Sequence, residues 1–253
     1  MMRILVTFAV DAEFAPWRAL RDFRRAEHGD VEIYSAEIES AEVSVLLTGV
    51  GLKKDWLAAA KSIWRGDLDV CISSGLAGAL RACCNAGDIL TAREISGGNL
   101  KETTSCEAQL TDLAATCGAK LVQSFYTTDH VVSRAEEKRE LSALADAVDM
   151  ESANILHQAA ALGAKVAAIR AISDIATEDL PLDFNRAITQ SGAVSVPRIL
   201  AQLARNPAAL PALMRFGSRS TASARKLAEF LDQYLVRLAQ SGIVAATKGV
   251  SAA

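Results

Sequence analysis

The sequence predicts an α/β protein in three layers: a mainly parallel, mixed central sheet flanked by helices, with a C-terminal helical extension. Three observations lead to this prediction. Short apolar runs rich in β-branched residues alternate with segments of helical spacing, as in sheets buried between helices. The chain has 253 residues, of which 51% are hydrophobic and 23% charged, enough for one sizeable core. From about Leu180 onward the strand pattern stops and alanine- and leucine-rich helical sequence follows.

The first half of the chain contains five predicted strands and two predicted helices. The strands are Ile4–Ala9, Val31–Glu39, Glu42–Thr48, Asp69–Ser74 and Asp88–Glu94. The second and third of these flank a polar turn, which predicts a hairpin. The helices are Glu13–Arg25 and Leu52–Trp64, and in the latter Trp56, Ala60 and Ile63 fall on one face.

The second half continues the alternation and then changes character. Further strands are predicted near Lys120–Tyr126, at Ala147–Met150 and at Lys165–Ile172. The string Ser133–Glu136 has the form of a capping box, which predicts a helix start there. A helix over Ser152–Leu162 should end at Gly163. We therefore predict an α/β domain over residues 1–178 and a helical extension over residues 179–253 that packs on it.

Charge and composition exclude several classes of function. The net charge is −3 and no basic stripe is evident, so no nucleic-acid partner is expected. Three scattered histidines and five cysteines without zinc-site spacing predict no metal, and no cofactor is expected. The apolar start of the chain is short and is followed at once by Asp11, so it reads as a strand rather than a signal peptide. No apolar run is long enough for a membrane span, and we expect a cytoplasmic protein.

Two strings of small residues stand at predicted strand ends. Thr48-Gly49-Val50-Gly51 precedes a helix and fits either a phosphate-binding turn or a plain tight strand-to-helix turn. Ser74-Gly75-Leu76-Ala77-Gly78 would let a flat ligand approach the backbone, and close packing of a helix explains it equally well.

Carboxylates also collect at strand ends, where binding sites of such sheets lie. Glu13 follows the first strand, Asp149 and Glu151 follow a later one, and Asp174 follows the apolar strand that contains Arg170. Each has a structural alternative. Glu13 fits a solvated acid in a first helical turn, and the others fit helix caps.

Taken in order, these motifs resemble one family. The strings are Ala-Val-Asp-Ala-Glu, Thr-Gly-Val-Gly, Ser-Gly-Leu-Ala-Gly, Val-Asp-Met-Glu-Ser-Ala and Arg-Ala-Ile-Ser-Asp, within residues 3–176. Their order resembles the purine nucleoside phosphorylase and uridine phosphorylase superfamily, and most closely its methylthioadenosine/S-adenosylhomocysteine nucleosidases. The resemblance implies a nucleoside phosphorylase-like fold and cleavage of the bond between ribose and a purine base.

The resemblance also implies roles for individual residues. Asp174 would be the general acid that protonates the purine at N7. Glu151 would accept from the ribose 2′- and 3′-hydroxyls, with Met150 packing on the sugar. Glu13 would activate water opposite the anomeric carbon, and Arg170 would help to position the nucleophile.

The base is expected between backbone groups and small side chains. Ala77, Gly78 and Val132 would line it, and Ser173, next to the acid, belongs to the same substrate-binding set. The resemblance implies no cofactor, and a homo-oligomer is expected.

Departures from the family pattern bear on the acceptor and on the substrate. Leu76 replaces a serine that helps to hold the water in nucleosidases, and Val131 replaces the phenylalanine that stacks on the base. The G-D-P-x-R phosphate string of phosphorylases is absent, and Asp-Ala-Glu stands in its place. We therefore favour water as the acceptor. A phosphate-dependent phosphorylase and a nucleoside-binding relative without turnover are the alternatives.

The tail after Leu180 is similar to that of hopanoid-associated members of the superfamily, which remove adenine from adenosylhopane. This likeness implies a purine nucleoside with a bulky 5′ substituent, with adenosylhopane, a lipid-linked nucleoside, as one candidate. The structural alternative is a helical extension that packs on the domain or makes an oligomer contact.

Overall fold

The computed structural model describes residues 1–28, 31–52, 56–63, 68–98 and 100–243. The described residues form ten strands: β1 (Met2–Phe8), β2 (Arg24–His28), β3 (Val31–Ile38), β4 (Ala41–Leu47), β5 (Val70–Ala79), β6 (Ile89–Gly97), β7 (Thr104–Ser105), β8 (Lys120–Thr127), β9 (Ala147–Asp149) and β10 (Lys165–Asp174). Their helices are α1 (Asp11–Arg18), α2 (Trp56–Ile63), α3 (Ala108–Thr116), α4 (Ala135–Leu141), α5 (Ser152–Ala161), α6 (Val196–Arg205) and α7 (Leu210–Gln240). Of the predicted helix Leu52–Trp64, residues 53–55 and 64 lie outside the described residues.

The strands form one mixed sheet in the order β10-β6-β8-β9-β5-β1-β4-β3-β2, with the short strand β7 paired to β6. Strands β1, β4, β5 and β10 pair in parallel and form its middle. Because β10 also pairs with β5, the strands β5, β10, β6, β8 and β9 close into a ring. Because β5 and β10 pair in parallel, their carboxyl ends lie side by side at one edge of the sheet.

Side chains of the middle strands alternate between two apolar layers. On β1, Ile4 and Val6 point to the layer that holds Leu231 of α7, whereas Leu5 points to the layer that holds Leu156 of α5. This period of two is what a sheet covered on both faces produces. The three-layer fold predicted from the sequence is confirmed.

One predicted helix is too long. The expectation of helix over Glu13–Arg25 is wrong beyond Arg18, and residues from Arg24 onward form the edge strand β2 against β3. Arg25 there contacts Glu27 and Glu32. Charged residues are common on edge strands because one edge faces water. Pairing with β3, which a local pattern does not reveal, decides the conformation.

The helix predicted to start within Ser133–Glu136 is confirmed as α4, but the capping box that predicted it is not formed. Helix α4 begins at Ala135, and Ser133 Oγ donates to the Val131 carbonyl instead. The first amide of α4, from Ala135, donates to Asp179 Oδ1 at 2.8 Å. A side chain 44 residues away therefore satisfies this helix start, and local sequence could not show it.

Helix α7 has two different halves. From Ser223 onward it buries Leu227, Leu231, Tyr234 and Leu238 in the layer that covers β1, whereas no residue from Leu210 to Ala222 is buried. The boundary at residues 178 and 179 stays a prediction. Among the described residues, none of the helices has both the length and the apolar character needed to cross a bilayer.

Candidate active site

A cavity opens at the carboxyl ends of the central strands, and it gathers most of the predicted site residues. Its lining includes Glu13, Ala77, Gly78, Val132, Met150, Glu151, Ser173 and Asp174. Arg170 is not part of the lining and lies beneath it, almost fully buried. Residues spread over 162 positions of sequence therefore share one wall because parallel strands end at the same edge.

Glu13 stands in the first turn of α1 but is buried rather than solvated. Its Oε1 accepts from the Leu76 amide of β5 at 2.8 Å, and its Oε2 accepts from the Ala9 amide at 3.1 Å. Burial raises the pKa of this carboxyl, while the Leu76 amide and the Arg170 charge act in the opposite direction. The side chain thus both closes the start of α1 and faces the cavity.

Gly75, the first glycine of the small-residue string in β5, has no room for a side chain. At Gly75 φ is +138°, and a Cβ there would lie 2.6 Å from Arg170 Nη1 and 2.9 Å from Glu13 Oε1. The string lies inside β5 rather than after it. Close approach of these two side chains, and not of a packed helix, therefore accounts for Gly75.

Glu151 lies across the cavity and is held by the glycine turn after β4. The Gly51 amide donates to Glu151 Oε1 at 2.9 Å, and Arg170 Nη2 lies 3.8 Å from Oε2. Burial raises the pKa of Glu151 to about 7, against the lowering effect of Arg170. A carboxyl that titrates near neutrality and faces a cavity is typical of functional sites.

Arg170 and Asp149 form a buried network under the floor of the cavity. Arg170 Nε donates to Asp149 Oδ2 at 3.0 Å, and its Nη atoms donate to the Ser74 carbonyl and to the Ser73 and Ser152 hydroxyls. Asp149 Oδ1 also accepts from the Ser152 amide at the start of α5, so the capping interpretation applies to Asp149. The network fixes the ends of β5, β9 and β10 relative to one another.

Asp174 ends β10 at a register shift, and no helix follows it, so it is not a helix cap. Its Oδ1 accepts from Ser173 Oγ at 2.6 Å. Its Oδ2 accepts from Lys138 Nζ at 2.6 Å. A Cβ at Gly78 would lie 3.1 Å from Oδ2, so Gly78 leaves room for this carboxylate.

Lys138 is a buried residue at the candidate site that the sequence did not single out. It lies on α4 with no exposed surface, and Nζ also donates to the carbonyls of Ile175 and Glu178, both at 2.9 Å. All three ammonium hydrogens thus have acceptors. In the sequence Lys138 sits in a charged helical run, Ala-Glu-Glu-Lys-Arg-Glu-Leu, which gives no sign of burial.

We expect replacement of Lys138 by methionine to lower the free energy of unfolding by about 3–5 kcal/mol, since it leaves the buried Asp174 carboxylate without its cation. Urea unfolding at neutral pH measures this change. The double variant Lys138→Met/Asp174→Asn should recover much of the loss, because it contains neither of the two buried charges. A loss in Lys138→Met no larger than that of the exposed control Lys101→Met would contradict the buried pair.

The outer wall of the cavity is apolar and comes largely from the segment after residue 179. Leu180, Phe184, Ile188, Val194 and Phe216 line it, and the rings of Phe184 and Phe216 lie 5.3 Å apart. Asn185 holds this wall against Val131, which also lines the cavity. Its side-chain amide accepts a hydrogen bond from the Val131 amide and donates one to the Val131 carbonyl.

These features agree with what is found among known proteins. Residues 3–205 match the Phosphorylase superfamily. The chain belongs to the phosphorylase superfamily. The predicted family is confirmed, and with it, at the level of the family, the prediction of a glycosyl-bond-cleaving enzyme.

Two relatives and one solved structure illustrate the likeness. The aminodeoxyfutalosine nucleosidase of Campylobacter jejuni is 24% identical over 223 residues, which are 79% of this chain and 97% of that protein. The 5′-methylthioadenosine/S-adenosylhomocysteine nucleosidase of Colwellia psychrerythraea is 24% identical over 73% of this chain and 88% of its own. A mutant of Helicobacter pylori MTAN with 5′-methylthioadenosine in the active site has a TM-score of 0.71 at 20% identity, covering 93% of this chain and 98% of that one. At such identities the structural likeness establishes the fold.

Proposed function

We propose that this superfamily member is a nucleosidase that hydrolyses the N-glycosidic bond of an adenine nucleoside with an apolar 5′ substituent. The observation that carries the proposal is the placement of Glu13 and Asp174 on one cavity. Glu13 contacts β5 at Leu76, and Asp174 lies against it at Gly78. These two contacts on β5 are two residues, or about 7 Å, apart along the strand, and both carboxyls line the same cavity. One carboxyl can therefore face the sugar carbon while the other reaches the base.

The choice of water over phosphate rests on charge. Within the described residues the cavity lining contains Glu13, Asp149, Glu151 and Asp174 but no lysine or arginine. The glycine turn offers no free amides either, since those of Gly49, Val50 and Gly51 donate to Ala9, Gly192 and Glu151. The cations nearest to these acids, Arg170 and Lys138, lie behind the lining and already contact carboxylates, so an anion would gain no cation of its own and neutral water is the acceptor that this cavity suits.

In the proposed reaction a proton passes from Lys138 Nζ to the carboxylate of Asp174, which donates it to N7 of the base, and the base leaves as neutral adenine while the bond from C1′ to N9 breaks. The positive charge that develops on the sugar is stabilised by the carboxylates of Glu151 and Glu13. Water forms the new bond to C1′ and passes a proton to Glu13. Lys138 then regains a proton from solvent and again pairs with the Asp174 carboxylate. Glu13 gives its proton to solvent, so both carboxylates return to their starting forms.

The apolar wall supports the proposed 5′ substituent. Phe184, Ile188, Val194 and Phe216 bring only hydrocarbon and aromatic surface to the outer part of the cavity. A charged or strongly polar 5′ group would lose hydration there without gaining partners. Adenosylhopane and 5′-thioalkyl adenosines are the candidate substrates. The homo-oligomer stays a prediction.

The test is an assay of adenine release from methylthioadenosine, adenosine and adenosylhopane, each with and without inorganic phosphate. We expect release without phosphate and a preference for the apolar 5′ groups. Release that requires phosphate would show a phosphorylase. Binding of adenine with no turnover on any of the three would show a nucleoside-binding relative.

The pH dependence of the reaction should report Glu151. Its pKa is raised to about 7, so the protonated form predominates below that pH and cannot accept from both sugar hydroxyls. We expect kcat/KM to rise as pH increases through about 7 and then to level off. The profile of Glu151→Gln should lack this rise. A rise at the same pH in that variant would assign the titration to another group.

A further inference from the structure

Exposed apolar side chains concentrate in a short part of the chain after the cavity wall. Of the nine large hydrophobic residues that are exposed in the described chain, five lie between residues 194 and 214. They are Val194, Val196, Leu200, Leu210 and Met214. We call these five the apolar surface stripe. Single exposed apolar residues are ordinary, whereas a cluster of them marks a contact surface.

Helix α6 carries the centre of this stripe and is only partly covered by the protein. Val196, Ile199, Leu200 and Leu203 recur at the spacing of one helical face, yet no residue of α6 is buried. Val196 is 64% exposed and Leu200 58%. The contacts to the body come from Gln202, which bonds the Asp183 backbone in both directions, and from Arg198, which donates to the Ile188 carbonyl. Ile199 and Leu203 are partly covered, whereas Val196 and Leu200 of the same face stay exposed.

The surrounding sequence is basic. From Ala187 to Ala228 the chain has no aspartate or glutamate, although the whole protein has a net charge of −3. The same range holds the basic residues Arg198, Arg205, Arg215, Arg219, Arg225 and Lys226. Two of the acids nearest to it in the sequence already have cations, since Asp183 pairs with Arg186 and Glu178 with Arg219.

We propose that the apolar surface stripe docks this enzyme on an anionic lipid bilayer, with α6 lying in the membrane interface. An apolar face, arginines on the opposite face and no acidic residues are the features of an interfacial helix. Val194 belongs both to the stripe and to the lining of the cavity. The cavity mouth therefore opens at the docked surface.

A second copy of the chain fits this surface less well. A helix of ten residues presents one face of roughly 15 by 10 Å, on the order of 150 Å². Together with the start of α7 the stripe offers on the order of 300 Å², against about 800 Å² per partner in a stable interface. The exposed Val196, Leu200 and Met214 would find no partner in a nucleic acid, which leaves the membrane as the occupant.

The test is sedimentation of the full chain with vesicles of phosphatidylcholine alone and of phosphatidylcholine with about one third phosphatidylserine. We expect binding to the anionic vesicles that weakens as salt increases. Leu200→Glu and Met214→Glu should each lower the vesicle affinity about tenfold. Leu144→Glu and Leu162→Glu are the matched controls, since these leucines are also exposed but lie elsewhere, and they should bind as the wild type does.

Three results would overturn the proposal. One is no binding to anionic vesicles, and another is equal loss of binding in the matched controls. The third is a wild-type oligomer that Leu200→Glu dissociates without any vesicle binding, which would make the stripe a contact between copies. This docking proposal rests on the proposed function, but vesicle binding is measured without any turnover of substrate. Vesicle binding without adenine release, or release without vesicle binding, therefore shows which of the two has failed.

Discussion

Replacement of Asp174 by asparagine is expected to lower the rate of adenine release by about 10²–10⁴-fold, the usual contribution of general acid catalysis. The amide keeps the shape of the carboxyl but has no proton that it can give to N7. Without protonation, adenine must leave as an anion, which is a poor leaving group. Single-turnover release of adenine from methylthioadenosine measures the effect. The exposed Asp112→Asn serves as the control and should react at the wild-type rate.

The buried pair changes how this variant must be judged. In Asp174→Asn the ammonium of Lys138 stays buried without its anion, so the variant itself loses stability. Asp174→Asn/Lys138→Met removes both charges and is the better-folded background. We expect it to bind adenine and to release almost none from substrate. Wild-type turnover in either folded variant would remove Asp174 from the mechanism.

Glu151→Gln should lower kcat/KM by about 10²-fold, because a hydrogen bond to a charged acceptor is worth about 1.5–3 kcal/mol and two sugar hydroxyls are involved. Glutamine keeps the carbonyl oxygen that accepts from the Gly51 amide, so the glycine turn should stay in place. The loss should appear with ribonucleosides and be much smaller with 2′-deoxynucleosides, which lack one of the hydroxyls. Steady-state kinetics on adenosine and 2′-deoxyadenosine measure both values.

The control for this change is Glu137→Gln, an acid near the cavity mouth that bonds His130 rather than the cavity interior. It should leave the ratio of the two substrates unchanged. Equal performance of ribo- and deoxynucleosides in the wild type would show that Glu151 does not bind the diol. A stable Glu151→Gln protein with unchanged kcat/KM on adenosine would show the same.

Most of the fold follows from the sequence. Buried strands such as β1 and β10 are apolar and β-branched, and such strands need helices on both faces. The edge strand β2 does not follow, since Arg24–His28 has no apolar pattern and becomes a strand only by pairing with β3. The start of α4 does follow, but the acceptor of its first amide does not, because Asp179 comes from a distant loop.

Much of the candidate site could also be predicted. Glu13, Glu151 and Asp174 stand at strand ends in an order that resembles a family, and the structure brings them to one cavity. Arg170 was expected to help position the nucleophile, but it lies beneath the cavity, where protein acceptors surround it. Arg170 would therefore act on the reaction through its charge and through its hydrogen bond to Asp149.

The sequence by itself determined the three-layer fold, the superfamily and the set of acids that could carry the chemistry. Local periodicity and short ordered motifs are enough to predict these features. Only the tertiary structure decided what surrounds those acids. It placed Lys138 against Asp174, engaged the amides of the glycine turn, and left Val196 and Leu200 of α6 exposed. Burial and pairing between distant residues are properties of packing, and no local pattern records them.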